Sequence, residues 1–600
     1  MTVKWGPSYF MPEQGTPGGA GARESTGWRR PGAVAALLAC LALPPVAPAA
    51  AAPPDQIATD LEAALTALAR AEAEAAPDTD TEAAPGSVIG PVTGSVTEPV
   101  PGSVTGAGTW AGVGAALLIA RADLAGVAAR ATTDPDLGPP LGPVLDPVLG
   151  GPPALRDGTP ALPAAAPEVG RLNLRLVLTM LSQAYGDEGN GRLLQAQSDP
   201  AREALVLRAG TVRLADLAAA LQAEGLAAVA PEAAGGSGAV GGVELTLPLV
   251  IWPGAALVLG PGEVLHLNRA EGAFVMNFGR LQIEGATVAA TPGVNPQVRA
   301  FRPFVTTADG GTLVLRGARM TGLGFGETLK FSGVSVLRSL LRPADRPSRI
   351  EGTLFQDVLS VGIAGDGGAQ VTGNWFRDAR GAALVVTQAR GVQVTGNLFA
   401  GRLPTNAIRL EGGAQDGVVA GNVILGGQRA GIVVREDSPG AQIGGNVVWA
   451  REGGGILING SACAVVAGNL VIGNAQKGIE LRNAPGGRVL ANSVLSNASI
   501  GIWVADQPPG STTRIEGNVV AFNNAGLAGA RGERLLLQGN DLSRQYLQFL
   551  SGDLAPQAAH LARDMRGTVP LLLSAAGSGP ATPADLAPDP ACLPAPVPAP

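Results

Sequence analysis

Six hundred residues, with 86 Gly, 49 Pro and few aromatic or charged side chains, favour short stacked strands and tight turns over packed helices. A net charge of -7 over that length, with no long basic run, excludes nucleic acid as an expected partner. The three cysteines (Cys40, Cys463, Cys592) lie far apart and only two histidines occur (His266, His560), so no disulfide framework, metal site or cofactor is expected, and any mechanism needing a base near neutral pH is constrained.

Near the N-terminus, Arg29-Arg30 precede the apolar run Ala33 to Leu43 and then small residues and prolines through Ala52, so residues 1–52 are predicted to be a secretory signal region. Ala47-Pro48-Ala49 offers a cleavage site, and Leu37-Leu38-Ala39-Cys40 offers a lipoprotein box as the alternative. A periplasmic or secreted location follows. The mature chain is expected to have no membrane span: Gly112 to Ala120 is apolar but short, and Arg121 and Asp123 end it.

Residues 53–167 read as a low-complexity, disordered Pro/Gly/Ala linker with short helices at Asp55–Ala75 and Ala111–Ala131. Its centre carries the eight-residue echo GSVIGPVT, GSVTEPVP, GSVTGAGT. Residues 168–242 are predicted to form a helical cap and lead-in: a helix over Glu168–Ala184, a strand at Ala204–Leu207 and a helix over Leu214–Glu224.

From Val243 the chain becomes repetitive. A small residue, an asparagine and two apolar residues recur at Asn374, Asn397, Asn422, Asn446, Asn469, Asn492, Asn518 and Asn540, in steps of 22 to 26 residues. Each repeat carries a further apolar strand, as in AGIVV at Ala430, GGILI at Gly454, KGIEL at Lys477 and IGIWV at Ile500. Two or three short strands per repeat fit one coil of a solenoid, so residues 243–545 are predicted to be an all-β right-handed parallel β-helix, followed by a tail over 546–600. The repeated asparagine is read as an internal structural ladder and Cys463 as an inert turn residue.

The stretch LPLVIWPGAALVLGPGEVLHLNRAEGAFVMNFGRLQIEGATV from Leu247 resembles the opening coils of the periplasmic mannuronan C5-epimerases. AFRPFVTTADGGTLVLRGARMTGLGF from Ala300 is similar to that family's FRPF coil, and KGIELRNAPGGRVLANSV from Lys477 to a late coil, so the resemblance covers about Ala204 to Gln507. It implies a β-helix acting on an acidic polysaccharide, with a D-P-H-D histidine as base and an arginine on the uronate carboxylate. Counting repeats, the histidine falls at Val386, its flanking aspartates at Leu384 and Thr387, and the arginine at Gly412. None of these can abstract the C5 proton or neutralise a carboxylate.

With Ile408, Ile432, Ile456, Ile479 and Ile502 facing inward, strand alternation predicts two outward columns. One runs Leu384, Arg409, Val433, Leu457, Glu480, Trp503; the other Val386, Glu411, Arg435, Asn459, Arg482, Ala505. Arg409, Arg435 and Arg482 would bind substrate carboxylates over ~15 to 20 Å of stacked coils, with Trp503 stacking on a sugar. The same charges also fit a solvated, charge-laced sheet face. A relocated catalytic pair, Glu411 as base and Arg435 as clamp, is the enzymatic alternative, either epimerase or lyase. Glu436-Asp437 is read as a solvated turn and not a calcium site. The expected function is a degenerate epimerase that binds or guards an acidic exopolysaccharide, with envelope polysaccharide-export proteins as further partners; a structural or adhesion β-helix without a sugar ligand is the third reading.

Overall fold

The computed structural model describes residues 162–592, apart from 200, 227–241, 327, 339–345, 546–547, 583–584, 586–588 and 590–591. The expected signal region, Cys40 and all but the last residues of the expected linker lie outside the described residues.

From Val243 each coil lays down three short strands. One coil comprises Gln393–Thr395, Leu398–Ala400 and Ile408–Glu411, and the corresponding strands of successive coils pair in parallel. We call the stack containing Ile408–Glu411 sheet 1, that of Gln393–Thr395 sheet 2 and that of Leu398–Ala400 sheet 3; sheet 3 holds 12 strands. The register stacks like on like. Sheet 1 contributes Leu384, Ile408, Ile432, Ile456, Ile479 and Ile502 as one inward column. Sheet 2 contributes Val371, Val394, Val419, Ile443, Val466, Val489 and Ile515. In sheet 3, Phe355, Phe376 and Phe399 stack with ring centroids 5.0 and 4.5 Å apart. All of these side chains are buried, and they form one continuous core along the axis.

The asparagine expected to be structural is so in detail. Asn397 Nδ2 donates to Asn422 Oδ1 at 2.9 Å and to the Val371 carbonyl at 2.8 Å. Its own Oδ1 accepts the backbone N–H and the Nδ2 of Asn374, both at 2.9 Å. The same pattern runs from Asn374 to Asn540 at the turn between sheets 2 and 3. The residue before each asparagine sits in the left-handed region, which is why it is glycine at Gly396 (φ 60°) and Gly445 (φ 59°). A second ladder, which the sequence reading missed, joins Asn474, Asn497, Asn523 and Gln545 at the corner between sheets 3 and 1. It ends at Arg451, whose N–H donates to Asn474 Oδ1 at 3.0 Å. The buried Arg451 guanidinium donates to the carbonyls of Arg429, Gly426 and Thr405, and burial lowers its pKa to about 10.

Both ends are covered. Strand β1 (Glu168–Asn173) pairs antiparallel with β2 (Glu203–Arg213), and β2 adds in parallel to the first strands of sheets 1 and 2. Glu168–Asn173 had been expected to be helical; it is a strand because its partner is the chain's first solenoid strand, a tertiary pairing that outweighs local propensity. Helix α1 (Leu174–Tyr185) follows. It buries Leu174, Val177, Leu178 and Leu181 against Phe274, Phe304 and Phe331 on the flank. Helix α2 (Asn190–Gln195) extends that cover, and helix α3 (Leu214–Ala223) closes the end of the core with Leu214, Leu217 and Leu221. Beyond residue 545, Leu550–Gly552 still adds to sheet 1, and a hairpin of Leu571–Ser574 and Gly577–Pro580 pairs antiparallel on Arg534–Leu537. No helix among the described residues is long and apolar enough to cross a membrane.

Cys463 is not an unpaired turn residue. It forms a disulfide with Cys592, 129 residues away, which ties the C-terminal segment back across several coils. Asp585 anchors the same segment by an ion pair with Arg534, and its carbonyl accepts Arg514 Nη2 at 3.2 Å.

Two stability predictions follow from these contacts. Asn446→Ala strands the N–H and Nδ2 of Asn422 and the Val419 carbonyl; we expect a loss of about 2 to 4 kcal/mol by denaturant titration, and a loss below about 0.5 kcal/mol would reduce the ladder to packing. Cys592→Ser should release the segment after residue 580 to limited proteolysis while the coils over 348–545 resist. The chain-entropy model caps the accompanying stability loss at roughly 4 to 5 kcal/mol.

Candidate functional site

Sheet 1 presents its outward residues as the two columns expected, with one correction. Leu384 pairs with Ile408 and Val386 with Leu410, so both point into the core, and the outward residues of that strand are Val385 and Thr387. Counting back from Asn397 places these residues one position out because the turn from sheet 1 to sheet 2 is one residue shorter here than between Ile408 and Asn422, and a one-residue slip exchanges faces. Val386, where the resemblance puts the family histidine, is buried.

Arg409, Glu411 and Arg435 form one cluster. Glu411 accepts Arg409 Nε at 3.0 Å and Nη2 at 2.7 Å, and Arg435 Nε at 2.8 Å from the next coil. Its carboxylate is only 15 % exposed, so it is held between two guanidiniums, and Arg435 Nε also lies 3.3 Å from Glu436. Acting as a base would require Glu411 to give up these contacts. Arg482 is separated from Arg435 by the coil of Asn459, about 10 Å along the axis. It lies 3.7 Å from both Glu480 and Asp506. Trp503 is half-buried, with Lys477 Nζ 3.1 Å from its ring centroid and Arg482 Cζ at 5.5 Å, so the ring already carries a cation–π partner. The sequence-predicted site residues are thus brought onto one face, where each charge has an opposite neighbour.

A second group was missed. At the corner between sheets 3 and 1, Asp357 forms a close ion pair with Arg302 and lies 3.2 Å from Arg380 Nε. Arg380 Nη2 donates to the carbonyls of Leu323 at 2.7 Å and Gly324 at 2.9 Å. Burial, followed by the neighbouring guanidiniums of Arg302, Arg269 and Arg402, brings the Arg380 pKa down to about 10. The available signal was an arginine in this corner in four successive coils: Arg380, Arg402, Arg429 and Arg451. His266 lies elsewhere, on the sheet 3 strand Val264–Leu267 between Glu244 and Ala289, and burial lowers its pKa.

Residues 348–547 match the family described as periplasmic copper-binding protein (NosD). No curated protein matches the chain. Among solved structures, the periplasmic alginate epimerase AlgG is similar, with a TM-score of 0.52 and 17% identity over 65% of this chain and 93% of that one. A double mutant of AlgG is comparable, with a TM-score of 0.51 and 17% identity over 66% of this chain and 99% of that one. What is shared is the fold. The chain is the right-handed parallel β-helix predicted from its repeats.

The copper in the NosD description calls for soft or imidazole donors, and the residues present do not fit. Cys463 and Cys592 are joined to each other, His266 and His560 lie in opposite end regions of the solenoid, and no three His, Cys, Asp or Glu side chains converge among the described residues.

Because Glu411 neutralises two guanidiniums, Glu411→Gln should lower stability by about 1 to 2 kcal/mol at low salt. The loss should grow no larger as salt screens the freed arginines; thermal denaturation at two ionic strengths checks both.

Proposed function

We propose that this chain is an exported β-helix protein that binds or protects an acidic, uronate-containing polysaccharide, and that it is a degenerate relative of the mannuronan C5-epimerases. The observation that carries the reading is the absence of any histidine between His266 and His560, a span that includes every coil of the asparagine ladder. Abstraction of the weakly acidic C5 proton of a uronate needs a base, a carboxylate clamp and a proton donor on the opposite face. The coil where the family histidine is expected offers Val385 and Thr387 outward instead.

Export is supported by the composition of residues 1–52, by the periplasmic proteins to which the chain is similar, and by the disulfide, which suits an oxidising compartment. Polysaccharide-export proteins of the envelope are the partners this reading implies. The enzymatic alternative, with Glu411 and Arg435 as a relocated pair, is weakened by the engagement of Glu411 with both arginines. The structural or adhesion reading is favoured by the charge lacing of sheet 1, since a face of mutually paired ions needs no ligand.

The test is incubation of the mature protein with polymannuronate in deuterated water, following C5 deuterium by NMR and binding in the same sample. Binding without exchange is the expected result. Exchange that disappears in Glu411→Ala or Arg435→Ala would replace this reading with an active enzyme, and neither binding nor exchange would favour the structural one.

A further inference from the structure

The charge balance differs between the two arginine groups. On sheet 1 Glu411 lies between Arg409 and Arg435, and Glu480 between Lys477 and Arg482. At the corner between sheets 3 and 1, Arg380 is repelled by Arg269, Arg302 and Arg402, and Asp357 is the carboxylate that pairs with Arg302 and Arg380. The other acid there, Asp378, already accepts the Arg402 backbone N–H at 2.8 Å and lies 3.4 Å from Arg377 Nε.

The cations at the corner are held largely by neutral groups. Arg380 is anchored on the carbonyls of Leu323 and Gly324. Arg269 Nε donates to the Phe301 carbonyl at 2.7 Å, and its Nη2 to that of Arg299 at 3.1 Å. Carbonyl anchors fix the direction of a guanidinium without cancelling its charge, so the positive potential at the corner survives. Four like charges this close repel, and an anion from solution relieves that repulsion. Arg302 and Arg380 keep partial exposure beside Asp357, and Arg402 is exposed one coil further along the axis, so cations are offered at two positions about 4.8 Å apart. Two cationic positions so spaced suit a polymer that carries carboxylates on neighbouring units.

We propose that the corner around Asp357, formed by Arg269, Arg302, Arg380 and Arg402, is the site that takes the carboxylates of an acidic glycan, in place of the internally paired face of sheet 1. This rests on the reading of the chain as an acidic-polysaccharide binder, and it names where on the solenoid the contact is made. Asp357 is then the group that limits affinity, since it competes with the ligand for Arg302 and Arg380.

The experiment titrates the full mature protein with oligomannuronate and, separately, with dextran sulfate as a uronate-free polyanion, at low and moderate salt. Arg302→Gln combined with Arg402→Gln removes two accessible cations and leaves the carbonyl-anchored Arg380 and Arg269 to hold the corner; circular dichroism and melting check the fold. Affinity for oligomannuronate should fall about tenfold or more, with a shallower salt dependence. Asp357→Asn should tighten binding about threefold or more, and Arg390→Gln, on an exposed turn elsewhere, should leave it unchanged. Oligomannuronate binding that ignores the double variant but is lost on replacing Arg409 and Arg482 by Gln would overturn the corner site while keeping the polysaccharide reading. Dextran sulfate binding that depends on Arg302 and Arg402, with no oligomannuronate binding, would keep the anion site and overturn the uronate. If neither polymer binds the unmodified protein, both the corner site and the polysaccharide reading are overturned.

Discussion

One buried asparagine per coil is the constraint on which the remaining structure depends. An asparagine amide removed from water needs both donors and its acceptor satisfied, and here the only neighbours that can do so are the backbone of the coil on one side and the next asparagine on the other. The turn between sheets 2 and 3 therefore repeats the same backbone in every coil of the ladder, left-handed residue included. Because the ladder fixes that turn, the spread of 22 to 26 residues per coil has to be absorbed elsewhere, and most of it enters at the turn from sheet 1 to sheet 2, as between Ile502 and Asn518. The corner between sheets 3 and 1 stays nearly constant in length over these coils, and it carries an arginine in four of them in succession.

The two cationic regions illustrate how differently a solenoid can use the same residue. Parallel strands in register bring outward residues of adjacent coils side by side, so arginines on sheet 1 must be interleaved with acids or repel along the whole column. Arg409, Glu411 and Arg435 meet that requirement, as do Lys477, Glu480 and Arg482. At the corner the irregular backbone exposes carbonyls, which orient guanidiniums without discharging them. Arg451 shows the extreme of this solution, fully buried on three carbonyls with no carboxylate bonded to it among the described residues.

What could be read from the sequence followed from this periodicity. The asparagine steps and the GI-type strands gave the coil, its inward isoleucine column and the pairing of Arg409 with Val433 and of Glu480 with Trp503. The face of Leu384 and Val386 was not legible from Asn397 because the intervening turn from sheet 1 to sheet 2 differs in length from coil to coil. Features made by coils meeting at a distance were not legible. Cys463 and Cys592 are 129 residues apart, and Asp357 and Arg302 are 55 apart, with neither separation a multiple set by the repeat. The second ladder could have been found, since Asn474, Asn497 and Asn523 follow the same spacing as the first, five residues behind it in the same coils.

Most of the stability of such a scaffold resides in parts other than its outer face. The core columns, the ladders and the two covered ends point inward or along the axis, whereas an outward residue such as Thr387 adds one long hydrogen bond, from its Oγ1 to the Gly412 carbonyl at 3.5 Å. A β-helix can therefore lose or gain catalytic groups at little cost to folding, which is why likeness of fold to an alginate epimerase says little by itself about activity. The more informative quantity is where charge is left uncompensated, since desolvation and repulsion make an unneutralised cluster costly to keep. By that criterion the corner around Asp357, and not the better-ordered arginine column of sheet 1, is the part of this surface whose composition folding alone does not explain.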